Sequence, residues 1–278
     1  MAEAFSGVPE VLDSARDRVE FRRPEHRPGV ELYRAHIVDH AFETHAHEGF
    51  GLGAIESGVE RFRYRGGEHL TAADSLVLMN ADELHTGRAE TAQGWRYRMV
   101  YVEPDVVEAI TGDRGWHFAQ AVAHDPLRAR RVARLLAQLW CEREPLAFDS
   151  LLATLLGELR VHARIGRAPA AEGALRFAPV VEFMRAHVGE RLTLEQLAAL
   201  AGLSPFHFLR RFKAQFHATP QQMLMALRVL EAKRRLAAGE SPAAAAAAAG
   251  LADQAHLTRA LARRYGVTPG LYRAQLRR

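Results

Sequence analysis

The sequence predicts an α+β, multidomain protein in which a β-rich body precedes an all-α C-terminal domain. From Val30 to Glu103, short runs rich in β-branched and aromatic residues alternate with turn signals such as Gly66-Gly67. Beyond Glu103 the apolar residues follow a helical period, and the C-terminal part contains two segments with the same order of helix signals. The 278 residues are enough for two such domains.

The first of these two segments, residues 194–216, begins with a capping box. Thr193, with a glutamine three residues later, satisfies the first free amides of a short helix, and Gly202 supplies the left-handed conformation that ends it. Ser204 caps a second helix, and Pro205 occupies its first position, where no amide hydrogen is needed. This order is typical of a helix-turn-helix, although an ordinary helical hairpin fits it too.

The second segment, residues 242–265, repeats the order of cap, short helix, glycine turn, cap and basic helix. Ser241 starts its first helix, Gly250 ends it, and Asp253 caps the next. Between the two segments, Pro220 to Ala238 is predicted to form one helix, about 28 Å long at 1.5 Å per residue. Two helix-turn-helix units on one rigid connector suit two adjacent major grooves of double-stranded DNA.

The net charge also differs between the C-terminal part and the residues before it. Residues 175–278 contain 16 Lys+Arg against 6 Asp+Glu, a net charge of +10, whereas the preceding residues carry −6 of the overall +4. A basic C-terminal third is typical of a domain that binds DNA phosphates. The single cysteine, Cys141, excludes an intrachain disulfide framework and indicates a reducing compartment. No apolar run approaches the length of a membrane span, so the protein is predicted to be cytoplasmic and to have no membrane partner.

Several short motifs of the C-terminal part carry a family resemblance. They are Leu197-Ala198, Gly202-Leu203-Ser204, Leu209 to Lys213, Arg228 with Ala232 and Leu236, Asp253 to Arg259, and Gly266-Val267-Thr268-Pro269 with Tyr272-Arg273. With them, residues 175–276 resemble the two-motif DNA-binding domain of the AraC/XylS family of bacterial transcription regulators. Leu251, Leu257 and Leu261 depart from the phenylalanines usual in that family, and the alanine run 243–249 replaces larger aliphatic residues. The second motif is therefore expected to be the looser one.

The resemblance implies which side chains touch DNA bases. They are Phe206, Arg210, Gln254, His256 and Arg259. Arginine pairs bidentately with guanine and glutamine with adenine in the major groove. Phe206 fits contact with a thymine methyl group, and burial in the domain core is the competing interpretation.

A second set is expected to bind phosphate and so to set affinity rather than sequence preference. This set is Ser204, Arg211, Lys213, Arg263 and Arg264. The partners implied by the resemblance are promoter or operator DNA, RNA polymerase, a small-molecule effector and a second copy of the chain.

The β-rich body is predicted from five short runs and forms a sandwich or small barrel. The runs are Val30 to Val38, Gly51 to Ile55, Glu60 to Tyr64, Ser75 to Met79 and Arg96 to Val102. Together with His45-Ala46-His47, with Gly58 between two strands and with His85 after a strand, this stretch resembles the cupin-like sensor domain of the same family. The fold class implied is an N-terminal cupin-like β-barrel with a helical pair, followed by the all-α domain.

His45 and His47 are two residues apart, so on a strand they project from one face, and His85 arrives from a later strand to meet them. In metal-binding cupins a matching trio holds a divalent ion, usually with a glutamate where this chain has Gly51 and Leu52. Neutral imidazoles suit zinc, copper, iron or nickel. Three histidines also hydrogen-bond a polar ligand without any metal, and this metal-free pocket, with no cofactor, is the favoured prediction.

Other pocket candidates follow from alternation along the strands. Trp95 and Tyr97 share one strand face and are expected either to wall the pocket or to pack in the core. Arg61, Arg63 and Arg65 share another face. Those arginines either line the pocket and favour an anionic ligand or form a solvated surface, and the solvated surface is favoured.

Two leucine-rich stripes follow the β-rich body, on either side of Pro145. They suit a helix pair that covers the barrel, a dimer interface, or both. The predicted organisation is therefore a structureless N-terminal arm (residues 1–28), an effector-binding and dimerisation domain (29–166), a linker (167–174) and the DNA-binding domain (175–278).

The predicted function is effector-controlled, sequence-specific transcription regulation, with activation as the favoured sign and no enzymatic activity. One alternative is a metal-dependent cupin enzyme with a DNA-binding tail, which needs a complete metal site with an open position. Another is a ligand-independent DNA binder in which the barrel only dimerises.

Overall fold

The computed structural model describes residues 14–166 and 177–277. Residues 1–13 of the predicted arm and the whole predicted linker lie outside these residues. The N-terminal domain is built from eleven strands within the described part of the chain. They are β1 (Arg18–Arg22), β2 (Val30–Ile37), β3 (Ala41–His45), β4 (Phe50–Tyr64), β5 (Gly67–Ala72), β6 (Ser75–Met79), β7 (His85–Ala89), β8 (Trp95–Val102), β9 (His117–Phe118), β10 (Val122–His124) and β11 (Ala163–Arg164).

Nine of these strands pair antiparallel in two sheets that share β4, while β9 and β11 form a separate two-stranded sheet. One sheet has the order β1-β2-β8-β4-β6-β10, and the second joins β3, β7 and β5 to the other half of β4. Strand β4 changes sheets at Gly58, where φ is +78° and the register against β8 shifts between Ile55 and Ser57. The sequence places Gly58 in a turn between two strands, which is wrong: Gly58 lies inside one long strand, two residues after Glu56, the extra residue of a β-bulge.

The predicted helix pair covers the outer face of the larger sheet. It consists of α2 (Pro126–Cys141) and α3 (Pro145–Leu159), and both follow α1 (Pro104–Thr111). Leu136, Leu152 and Leu155 are buried against the sheet residues Leu52 and Val100. The covering role predicted for the leucine stripes is therefore confirmed. Dimerisation through these helices stays a prediction.

The C-terminal domain is entirely helical, and both helix-turn-helix motifs are confirmed. Its helices are α4 (Ala178–Ala186), α5 (Leu194–Leu200), α6 (Pro205–Phe216), α7 (Pro220–Ala237), α8 (Pro242–Ala248), α9 (Gln254–Tyr265) and α10 (Pro269–Leu276). Thr193 forms the predicted capping box, and Ser204, Ser241 and Asp253 cap α6, α8 and α9. Helices α6 and α9 are the second helices of the two motifs, which the family resemblance makes the recognition helices.

The two motifs bury their apolar residues in different places. Phe208 and Phe212 of the first motif pack with Phe177 in a core of its own. Leu257 and Tyr265 of the second motif belong to one continuous buried cluster with residues of the N-terminal sheets. The second motif therefore shares its core with the N-terminal domain, and this places α9 against the sheets.

Candidate functional site

The three predicted histidines meet in a cavity between the two sheets. His45 ends β3, His85 begins β7, and the two pair across the ladder, while His47 follows two residues after His45. The imidazole centroids of His45 and His85 lie 4.3 Å apart, and those of His47 lie 5.1 and 5.3 Å from them. One potential ligand nitrogen from each ring lies within 4.8 Å of the other two. The predicted convergence of the trio is confirmed.

Backbone carbonyls fix two of these rings. The Nδ1 atom of His45 lies 2.7 Å from the carbonyl oxygen of Glu43, and that of His85 lies 3.1 Å from the carbonyl oxygen of Glu83. Because a carbonyl only accepts, Nδ1 donates its proton and Nε2 keeps a free electron pair. The Nε2 atom of His47 is buried and lacks a hydrogen-bond partner among the described residues.

All three imidazoles are held in the neutral form. Burial lowers the pKa of His45 and of His47 well below 6.5, and the neighbouring histidines of the trio lower both further. Burial also lowers the pKa of His85 to about 4. At neutral pH the site therefore presents electron-pair donors rather than cations.

The remaining walls of the cavity are aromatic and acidic. Tyr97 lines it as predicted and donates a 3.2 Å hydrogen bond to the Tyr33 hydroxyl. Trp95 does not line it: its side chain is 1% exposed and stacks behind Tyr97, beside the β4 bulge, so its assignment to the pocket is wrong. Glu60, which the sequence did not single out, lines the cavity, and burial raises the pKa of its carboxyl to about 8.

Arg61, Arg63 and Arg65 do not line the cavity of the histidines. Phe62 and Tyr64 point into the core, whereas Arg61 and Arg65 form ion pairs with surface glutamates. The favoured prediction of a solvated arginine face is confirmed.

The roof of the cavity comes from the C-terminal domain. Tyr265 and Arg264, at the end of recognition helix α9, line the same cavity as the histidines. The Tyr265 hydroxyl donates a 2.6 Å hydrogen bond to the carbonyl oxygen of Ala46, and its ring contacts His45 with centroids 5.1 Å apart. Arg264 forms a 2.9 Å ion pair with Glu43 of β3. The cavity therefore lies between the two domains.

A buried charged network holds the domains together beside this roof. Lys233 of α7 forms an ion pair with Glu31 of β2, which also accepts hydrogen bonds of 2.7 Å from Tyr272 and from Arg23. Burial by itself would raise the pKa of Glu31, but attraction from Lys233 and Arg23 lowers it to about 2. The carboxylate therefore stays ionised, and each of its oxygens has a partner.

Helix α6 presents its predicted contact residues to solvent. Phe206 is 71% exposed, which excludes the interpretation that it is a core residue. Arg210, Arg211 and Lys213 are exposed, and none of the three forms an ion pair with another described residue. Ser204 is exposed at the helix start and bonds the Nδ1 atom of His207 at 2.8 Å. Phe206, Arg210 and Lys213 share one exposed face of α6, and Arg211 lies exposed beside it.

Helix α9 exposes only some of its predicted contact residues to solvent. Gln254 and Arg259 are exposed, and His256 is half-buried. Arg263 remains 65% exposed although it lies 3.6 Å from Glu43, whereas the side chain of Arg264 is only 12% exposed. The structure therefore separates Arg264 from the other predicted phosphate contacts and places it at the domain interface.

Sequence reasoning missed the residues that join the domains: Glu43, Glu31, Lys233 and Tyr265. Their contacts connect positions about 200 residues apart, such as Glu31 with Lys233. One local signal was present, since Lys233 interrupts the apolar positions of α7 and a lysine is rarely fully buried without a partner.

Comparison with known proteins agrees with this architecture. A family model described as the AraC-like ligand binding domain matches residues 27–159, and a helix-turn-helix domain model matches residues 197–275. Among the described residues, no helix combines the length and the apolar character needed to cross a membrane.

Relatives and solved structures extend over most of the chain. The chain is 29% identical over 237 residues to the HTH-type transcriptional regulator YbfI of Bacillus subtilis (strain 168), covering 82% of this chain and 86% of YbfI. It is 26% identical over 259 residues to the MmsAB operon regulatory protein of Pseudomonas aeruginosa, covering 92% of this chain and 80% of that protein. Wild-type ToxT from Vibrio cholerae with bound unsaturated fatty acid shares the fold at a TM-score of 0.58 and 10% identity, covering 95% and 96%. The chain therefore belongs to the AraC/XylS family of bacterial transcription regulators, with a ligand-binding domain followed by a DNA-binding domain.

Proposed function

We propose that this protein activates transcription from promoter DNA under the control of a small effector bound beneath α9. The observation that carries the proposal is the roof of the cavity. Tyr265 and Arg264 belong to the second recognition helix and line the cavity that holds the histidine trio. An effector at the histidines therefore contacts, or is one side chain away from, a helix that reads DNA. ToxT, which shares the fold, binds an unsaturated fatty acid, and this supports effector control.

The DNA contacts of the proposal divide between the two recognition helices. Phe206 and Arg210 on α6, with Gln254, His256 and Arg259 on α9, read base edges, as the family resemblance implies. Phosphate binding falls to a second set, and it does not contribute sequence preference. That set is Ser204, Arg211, Lys213, Arg263 and Arg264.

In the structure, contacts with the sheets restrain the second recognition helix, α9. We call this the docked arrangement. Arg264 reaches a phosphate only after it leaves Glu43, and α9 leaves the sheets only when the Tyr265 hydrogen bond breaks. An effector that favours the released arrangement raises DNA affinity by its difference in affinity for the two arrangements. A homodimer on operator DNA that recruits RNA polymerase in the cytoplasm completes the proposal. The named relatives are transcriptional regulators, which supports a non-enzymatic role.

A mobility-shift titration with the DNA upstream of the protein's own gene, over a salt series, tests the proposal. Arg210→Ala is expected to weaken specific binding by about 10- to 100-fold, the usual cost of a lost base contact. Glu43→Gln is expected to strengthen binding because it frees Arg263 and Arg264. Glu56→Gln, which removes a carboxylate paired with Arg98 away from α9, is the matched control and should leave binding unchanged.

Equal binding by wild type and Arg210→Ala, together with no preference for the upstream DNA, would contradict the assignment of α6 as a reader. Equal binding by wild type and Glu43→Gln would contradict the restraint of α9.

A further inference from the structure

We propose that the histidine trio is a binding site for a divalent transition-metal ion of the zinc class, and that this ion is the effector. This inference rests on the proposed function for its regulatory half, but not for the binding site itself.

Size is the first argument. The cavity has a volume of only about 30 Å³. Pockets for metabolite-sized ligands are typically about 300–1,000 Å³, whereas a cavity needs about 10–15 Å³ of such space to hold one water molecule. The side chains of Tyr33, Met99 and Tyr101 line the cavity, and those of Tyr33 and Met99 are buried. A single ion with a water ligand fits this space, and a sugar or a fatty acid does not.

The chemistry of the donors is the second argument. The Nδ1 atoms of His45 and His85 are engaged by backbone carbonyls, which is the way metal-binding histidines are usually oriented. The Nε2 atom of His47 is buried with no hydrogen-bond partner among the described residues, and such an atom destabilises a folded protein. Coordination to a metal would provide that missing partner.

Geometry is the third argument. The three donor nitrogens lie within 4.8 Å of one another. In a tetrahedral site with Zn–N bonds of about 2.0–2.1 Å, the nitrogens are roughly 3.4 Å apart. Binding an ion therefore requires the imidazoles to shift toward one another by distances on the order of 1 Å. Three imidazoles without carboxylate ligands select zinc-class ions over magnesium or calcium. Three protein ligands leave a fourth position for water.

The position of Arg264 gives the direction of the effect. Arg264 lines the same cavity, and its charge is close enough to His45 to contribute to the lowered pKa of that imidazole. Adding two positive charges at the histidines repels this cation and weakens the docking of α9, because Coulomb repulsion is strong at a poorly solvated site. The ion is therefore expected to release the second recognition helix and to tighten DNA binding.

Metal binding is measured first, on chelator-stripped full-length protein titrated with Co²⁺ and with Zn²⁺ in competition. We expect one ion per chain and visible ligand-field absorption from bound Co²⁺. His47→Ala and the near-isosteric His85→Asn should each weaken binding at least ~100-fold, the upper end of what loss of a supporting residue costs. His124→Ala, an exposed histidine of the same domain, is the matched control. Thermal melts of the metal-free variants show that they fold.

No Co²⁺ or Zn²⁺ binding by wild-type protein, or equal binding by the folded His47→Ala variant, overturns the site. DNA binding is then measured on the upstream fragment with and without Zn²⁺. An increase in DNA affinity of about fivefold or more on adding Zn²⁺ to wild-type protein, absent in His47→Ala, supports the proposal that the ion is the effector.

The two proposals fail separately. Zn²⁺ binding with no binding to the upstream DNA in either state overturns the proposed regulator and leaves the metal site intact. DNA affinity that is the same with and without Zn²⁺ overturns the proposal that the ion is the effector, but it leaves the proposed role in transcription regulation intact.

Discussion

The hydroxyl of Tyr265 donates a 2.6 Å hydrogen bond to the carbonyl oxygen of Ala46, the residue between two of the three clustered histidines. One residue of a recognition helix is thereby attached to the backbone of the segment that shapes the cavity. A shift of that segment moves the acceptor of this bond. The pair therefore connects the backbone of the cavity directly to helix α9 of the second motif.

Removing the hydroxyl tests this connection. Tyr265→Phe keeps the ring but leaves the buried carbonyl of Ala46 without this donor, which typically costs about 1–3 kcal/mol. We expect a lower free energy of unfolding in urea and tighter binding to upstream DNA, because α9 is less firmly docked. Unchanged values of both quantities would contradict the role given to this bond.

The Lys233–Glu31 pair should be costly to break from one side. Lys233→Met leaves an ionised, buried carboxylate, for which loss of a partner typically costs about 3–5 kcal/mol. Because Arg23 and Tyr272 still bond Glu31, we expect the lower end of that range in urea denaturation. Arg234→Met, one position along α7 but 55% exposed, is the control and should change stability by no more than about 0.5 kcal/mol.

The double variant Lys233→Met with Glu31→Leu distinguishes the cost of an unpaired buried charge from the cost of lost packing. Removing both charges is expected to recover much of the loss, because the desolvation cost disappears with them. A double variant as unstable as Lys233→Met alone would show that the loss comes from packing.

Glu60 predicts a pH dependence. Its pKa is about 8 in the folded protein and 4.5 when exposed, so between these values the folded state holds a proton that the unfolded state has released. Stability should therefore fall as pH rises from about 4.5 to 8, by roughly 4 kcal/mol over the whole window. Glu60→Gln removes the ionisation and should flatten the curve measured in chelator-treated protein. An equally steep curve for Glu60→Gln would show that other groups cause the slope.

Two glycines with the same backbone conformation form a matched pair. Gly58 and Gly112 have φ of +78° and +73°, but a Cβ at Gly58 would lie 2.0 Å from the carbonyl oxygen of Gly94, whereas one at Gly112 meets nothing within 4 Å. Gly112→Ala should cost about 1–2 kcal/mol, the strain of a left-handed residue. Gly58→Ala should cost clearly more in thermal or urea unfolding. Equal costs would show that β4 relaxes around the added methyl group.

The sequence predicts most of the C-terminal domain because its signals are local. Thr193, Ser204, Ser241 and Asp253 start the helices where the structure has them. A cap acts on amides two or three residues away, so it is readable without knowledge of the fold. The trio was predictable for a similar reason, since alternation along a strand places His45 and His47 on one face.

The remaining features depend on distant partners. Strand β1, in a segment to which the sequence assigns no structure, is ordered along β2 and held at its other edge by Gln275, which bonds the backbone of Val19 and Phe21. Trp95 shares the strand face of Tyr97, but it lies opposite Gly58 at the start of β8 and packs against Phe42 and Tyr97 outside the cavity lining. The position of α9 over the histidines follows from packing between domains, which no local pattern records.

The shared core has a consequence for how the protein comes apart. Helix α7 contributes Met223 and Leu227 to the core of the first motif and Val229 and Leu236 to the core that includes the sheets. Groups that share a core tend to open together, in cooperative units that hydrogen exchange can resolve. The second motif should therefore exchange its amides with the sheets, and the first motif should open alone. The boundary between cooperative units then crosses the middle of α7 and not the segment between the two domains.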